Sequence, residues 1–255
     1  MEGHPYRSQV EIERELFRLP LAVSEEFQRV KQAVRHGLDE EQLLAWAQEG
    51  LSMATQTSRS WEAAYEYFKV SPEMVRILPF AYLIQWAQSG AALCKESPTL
   101  AIAYFKASPA AMPQLKPRYV QSWASLGQGL YKGTWKSSTL SAKFFELSPA
   151  LLQMLTFQEM ERYVAYLDLL AHRSYDVATE CLVLSQRLFP HLGPDKDAFL
   201  ALVISVAEHN WHSTKTLFEV GSRYLPKVEK GQRVRLINLA SRLDKSGDQN
   251  IPYFI

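Results

Sequence analysis

Apolar side chains recur along the chain at helical spacing, and no segment keeps a sustained alternation of apolar and polar positions, so the sequence predicts helices and no sheet. The clearest pattern sets a small residue one turn before an aromatic one: Ala64 before Phe68, Ala101 before Phe105 and Ser141 before Phe145. Residues four apart share a helical face, so each pair predicts close packing against a neighbouring helix. Each of these helices then runs into Ser-Pro, at Ser71-Pro72, Ser108-Pro109 and Ser148-Pro149. A Ser hydroxyl can accept from the free amides of a helix start, and Pro at the first helical position loses no hydrogen bond. The expectation is therefore that each Ser-Pro ends one helix and opens a short second one.

A second pattern, Trp-x-x-x-Gly, precedes each of the first: Trp46 with Gly50, Trp86 with Gly90, and Trp123 with Gly127. The tryptophans stand 40 and 37 residues apart. Start signals open the helices that carry them, at Asp39, Pro79 and Pro117. Glycine inside a helix costs roughly 1 kcal/mol relative to alanine, so its recurrence beside Trp predicts that a neighbouring ring or backbone packs against it. Internal repetition at such a period is the mark of a stacked architecture.

The pattern weakens downstream without stopping. Tyr163 stands in for the Trp, and two later stretches align with each other, Tyr175 with Trp211, Ser185 with Ser222 and Pro190 with Pro226. Helix starts are expected at Thr156 and Pro194. The fold class read from this is all-α, a right-handed α-solenoid of helical hairpins of the HEAT or armadillo kind. Residues 1–38 are irregular leading helices, and 39–78, 79–115 and 116–155 are clear repeats. Residues 156–193 and 194–229 are divergent repeats, and 230–255 form a partial one. The final residues Asn250 to Ile255 align with the start of another repeat, Tyr253 with Tyr104 and Phe254 with Phe105, so the chain is expected to stop inside a repeat as a fragment of a longer polypeptide; the alternative is that these residues fold back as a non-helical plug.

Composition narrows the function classes. A net charge of +1, with 47% hydrophobic and 22% charged residues, is that of an ordinary globular protein and implies no strongly charged partner. Neither a signal core nor an apolar run of roughly 20 residues is present, so the expected location is the cytoplasm, with no membrane association.

Candidate chemistry is sparse. Cys94 and Cys181 stand among apolar neighbours and read as buried structural thiols. His209 and His212 are close enough to share a metal, yet Trp211 between them copies a repeat position, so they read as an interhelical turn. The stretch from Leu243 to Asp248 has part of an Asp-x-Ser-x-Ser metal motif but lacks its last Ser and follows a helical pattern. Phe68, Phe105 and Phe145 recur at core spacing with mixed charges between them, and Lys69, Lys106 and Glu146 keep no uniform base-reading code. No phosphate-binding loop, metal-binding helix or nucleophile elbow occurs. No residue is therefore assigned a catalytic, cofactor-binding or metal role, and the expectation is a chain that is not an enzyme.

The combined pattern, Trp-x-x-x-Gly followed by a small residue, paired aromatics and Ser-Pro-x-x with an apolar residue next (Val75, Met112, Leu152) over Asp39 to Leu155, resembles the helical-repeat region that precedes the von Willebrand A domain in NorD/CbbO-type activator proteins. That resemblance implies a non-catalytic adaptor that works with a MoxR-type AAA+ ATPase and recruits the client enzyme. The von Willebrand A metal motif is not in these 255 residues, so no family site residue carries over. A protein-interaction scaffold is the leading functional expectation; a nucleic-acid-binding helical repeat is the alternative.

Overall fold

The computed structural model describes residues 9–133 and 138–245. Every regular element among them is helical: α1 (Gln9–Leu16), α2 (Leu21–Arg35), α3 (Glu40–Ala54), α4 (Ser60–Ile77), α5 (Phe80–Glu96), α6 (Pro98–Ala111), α7 (Val120–Gly133), α8 (Ser138–Leu152), α9 (Phe157–Ala171), α10 (Tyr175–Leu192), α11 (Lys196–Tyr224) and α12 (Lys230–Lys245). Contacts divide the chain into two compact units, Met1–Gly127 and Gln128–Ile255.

The start signals act as expected. Asp39 caps α3 in a reciprocal box, its carboxylate accepting from the Gln42 amide at 2.8 Å while the Asp39 amide donates to the Gln42 side chain at 3.3 Å. Thr156 and Glu159 make the same box at the start of α9. Pro79 immediately precedes α5, and Pro117 opens the short 3-10 turn that leads into α7.

In the first unit the odd-numbered helices pack on one another, α1 on α3 and α3 on α5, and so do the even-numbered ones, α2 on α4 and α4 on α6. The hairpin partners α3 with α4 and α5 with α6 join the two rows. In the second unit α10 is the hub, touching α8, α9 and α11, while α12 packs on α11.

The Ser-Pro expectation is overturned. α4 runs through Pro72 to Ile77, α6 through Pro109 to Ala111, and α8 through Pro149 to Leu152. The serines are not caps: Ser71 and Ser108 donate back to the carbonyls of Tyr67 and Tyr104, four residues earlier, at 2.6 and 2.7 Å. Such back-bonding bends a helix, and a bend opens room for the Pro ring against the carbonyl of the preceding turn. One continuous helix thus replaces two short ones.

The last divergent repeat also differs. Its two helices are not separated by a loop but run together as α11, broken only at Asn210, whose φ −144° and ψ 75° are non-helical. The end of α10 is a sharper stop, because Gly193 adopts φ +54°, a left-handed conformation that other residues avoid.

Candidate protein-binding surface

The recurring residues close into a ring. Trp46 Nε1 donates to Ser71 Oγ at 2.9 Å, Ser71 Oγ donates to the Tyr67 carbonyl at 2.6 Å, and Tyr67 OH donates to the Trp46 carbonyl at 3.0 Å. The next hairpin repeats it: Trp86 to Ser108 at 2.8 Å, Ser108 to Tyr104 at 2.7 Å and Tyr104 to Trp86 at 3.4 Å. All six side chains are fully buried. Every polar side-chain group of these two rings therefore has a partner, which removes the penalty that burial of the indole and phenol would otherwise carry.

The glycines serve the rings beside them. A Cβ on Gly50 would stand 2.1 Å from Phe68 Cζ, and one on Gly90 would stand 2.0 Å from Phe105 Cζ. Only glycine lets Phe68 and Phe105 reach their edge-on contacts with Trp46 and Trp86, at centroid distances of 5.2 and 5.0 Å. Successive hairpins are then joined by aromatic pairs, Tyr67 against Trp86 at 5.2 Å and Tyr104 against Trp123 at 4.8 Å. Phe27 of α2 takes the same position one step earlier, stacked on Trp46 at 5.6 Å.

In the second unit Phe145, Ser141 and Ser148 are fully buried, and Tyr163 takes the Trp position with a changed bond. Its hydroxyl donates to the Cys181 carbonyl at 3.3 Å, while Ser185 donates to the Leu182 carbonyl at 2.7 Å. A phenol thus reaches directly what the indole reaches through a serine.

None of these buried groups is poised for chemistry. Burial raises the Tyr67, Tyr104 and Tyr163 phenols well above their ordinary range. It raises the free thiols too, to about 11 at Cys94 and about 12 at Cys181, so neither is a nucleophile at neutral pH. His36 and His172 are exposed at helix ends, each with Nδ1 on the carbonyl four residues back. The side chains of His209 and His212, like those of Leu243 and the residues after it, lie outside the described residues, as do His4 and the terminal Tyr253, Phe254 and Ile255. Among the described residues no group of three or more His, Cys, Asp or Glu is placed to hold a metal ion, and no helix is long and apolar enough to cross a membrane.

What varies lies outside. The odd-numbered row of the first unit presents Gln48, Gln85 and Gln88, with Gln88 donating to Glu49 Oε1 at 3.2 Å across α5 and α3. The even-numbered row presents ion pairs: Arg29 with Glu26, and both Lys69 and Lys106 with Glu66. Beside α1 a shallow depression lined by Ile12, Phe27, Leu43 and Ala47 is bridged by Lys31 and Glu13 at 2.6 Å. The sequence reading missed Arg29 and Glu26 because their segment has neither the Trp nor the Ser-Pro. The signal was nonetheless present, since Glu26-Phe-Gln-Arg-Val matches Glu66-Tyr-Phe-Lys-Val.

No family model, curated protein or solved structure matches this chain.

Proposed function

We propose that this protein is a non-catalytic scaffold for protein–protein interaction, built as a right-handed α-solenoid of hairpin repeats. The observation that carries the reading is the closed Trp–Ser–Tyr ring, present in two consecutive hairpins with the same partners and full burial. Residues that repeat are spent on joining one hairpin to the next, and those that vary face outward. Stacked repeats of this kind offer an extended surface that holds a partner through many modest contacts. The resemblance noted in the sequence directs the search for that partner to a MoxR-type AAA+ ATPase or its client enzyme.

The test is photo-crosslinking in the native cell from two outward positions, Gln88 on α5 and Lys106 on α6, with buried Ala101 as the control. The scaffold reading expects a dominant protein adduct from at least one outward position and none from Ala101. Absence of a protein adduct from both faces, together with substrate turnover by the purified chain, would overturn it.

A further inference from the structure

Arg29, Lys69 and Lys106 occupy one repeat position, two residues after Phe27, Tyr67 and Tyr104, on the three helices α2, α4 and α6 that pack side by side. Their side chains are 65%, 47% and 59% exposed. The acids that hold them are not: Glu26 and Glu66 are only 7% and 8% exposed. Arg29 Nε donates to Glu26 Oε2 at 2.9 Å. Lys69 and Lys106 reach opposite oxygens of Glu66, at 3.5 and 3.6 Å. Glu66 Oε2 has no hydrogen bond, so the two ammonium groups are what offset its burial.

Lys69 Nζ also sits over the Tyr65 ring, 5.7 Å from its centroid. The face that meets solvent along this row is therefore cationic, with its counter-charges underneath. The other acids of these helices stand one or two helical turns from the row, exposed Glu25 on α2 and Glu73 on α4, and half-buried Glu62 on α4, already paired to Arg59; α6 contains no acid at all. The equivalent position on α8 carries Glu146, which reverses the charge.

We propose that Arg29, Lys69 and Lys106 are the docking row for an extended acidic segment of a partner protein. This deepens the scaffold reading and rests on it. Packed helices lie about 8–10 Å apart, and a segment extended in the polyproline-II form has three residues per turn at about 3.1 Å each, so the row matches a carboxylate at every third position, all on one face of the segment. The buried glutamates pre-position the cations, which lowers the side-chain entropy lost when an acidic partner engages them. Binding of this kind is weak at each point, fast and sensitive to salt.

Fluorescence anisotropy on the intact protein tests this with a labelled peptide carrying Glu at every third residue in a Ser/Gly background. The comparison ligands have the same glutamates clustered at one end, the same spacing with Gln in place of Glu, and oligouridylate of equal charge. The spaced acidic peptide should bind at low salt and be released at high salt. Each of Arg29→Gln, Lys69→Gln and Lys106→Gln should weaken binding about two- to five-fold, and Lys69→Arg should retain it. Equal binding of the clustered or the Gln peptide, or no binding at all, would overturn the proposal. So would tighter oligouridylate binding that falls with the same substitutions, because the row would then serve nucleic acid. A protein adduct from Gln88 without binding of the acidic peptide would leave the scaffold standing and remove only this row.

Discussion

Trp46 and Ser71 are joined by a buried hydrogen bond, the indole nitrogen donating to the hydroxyl at 2.9 Å across 25 residues of sequence. The same hydroxyl donates to the Tyr67 carbonyl, so one serine bonds within α4 and also fastens it to α3. Replacing Ser71 with Ala strands the indole N–H in the core and should cost about 1–3 kcal/mol of stability. Replacing Trp46 with Phe removes the donor as well, so the double variant should lose less than the sum of the two single ones, by about 0.5 kcal/mol or more. Urea unfolding of the four proteins measures that coupling. Strict additivity would mean that the bond contributes nothing.

Gly50→Ala sets a Cβ against the Phe68 ring. Overpacking of this kind costs about 1–3 kcal/mol, more than the roughly 1 kcal/mol that alanine returns in helix propensity, so net destabilisation is expected. Gly129 is the counter-case, exposed on α7 with nothing within 4 Å of an added Cβ. Gly129→Ala should stabilise by up to about 1 kcal/mol. Thermal melts of the two variants should move in opposite directions.

Both thiols should resist labelling in the native protein. With Cys94 near 11 and Cys181 near 12, their thiolate fractions at pH 8 are about a thousandth or less. A thiol reagent at that pH should leave both unmodified for as long as the chain stays folded and modify both in denaturant. Rapid native labelling of either would contradict the burial described.

Acid stability should depend on Glu159. Burial acts to raise its pKa, but the Thr156 amide and hydroxyl and the Lys196 ammonium outweigh that and hold it below the usual carboxylate value. Lys196 Nζ lies 3.4 Å from Glu159 Oε1 and also donates to the Met154 carbonyl, fastening the start of α11 to the turn before α9. A depressed folded pKa gives stability that is full above the unfolded value of about 4.3 and is lost as pH falls through the folded one. Lys196→Met should therefore lower stability at neutral pH and flatten its decline below about pH 4.5. An unchanged acid limb would show that Lys196 does not stabilise the charged form.

The helices, their start signals and the buried Trp, Phe and small-residue positions were legible because each is set by spacing within one helix. Asp39, Thr156 and Pro79 act locally, and local rules found them. Ser71-Pro72 was misread for the converse reason. Whether that serine caps a new helix or back-bonds within an old one depends on Trp46, which lies in a different helix and supplies its other partner. Arg29 was passed over because α2 keeps the aromatic and the charge of the repeat but neither Ser nor Pro, and its equivalence is evident only where Phe27 stacks on Trp46. The junction at Asn210 is a backbone conformation that no residue-type pattern specifies.

The scaffold account is tested most directly by native mass spectrometry of the full chain, tagged and isolated from its own cells at low salt, beside a variant carrying Arg29→Gln, Lys69→Gln and Lys106→Gln. The account predicts a discrete complex of fixed stoichiometry with a second protein, depleted in the variant at a temperature where circular dichroism shows it fully folded, although loss of the counter-charges of Glu26 and Glu66 lowers its melting temperature. Recovery of the chain free of any protein partner, with substrate turnover or bound nucleic acid in its place, would contradict it.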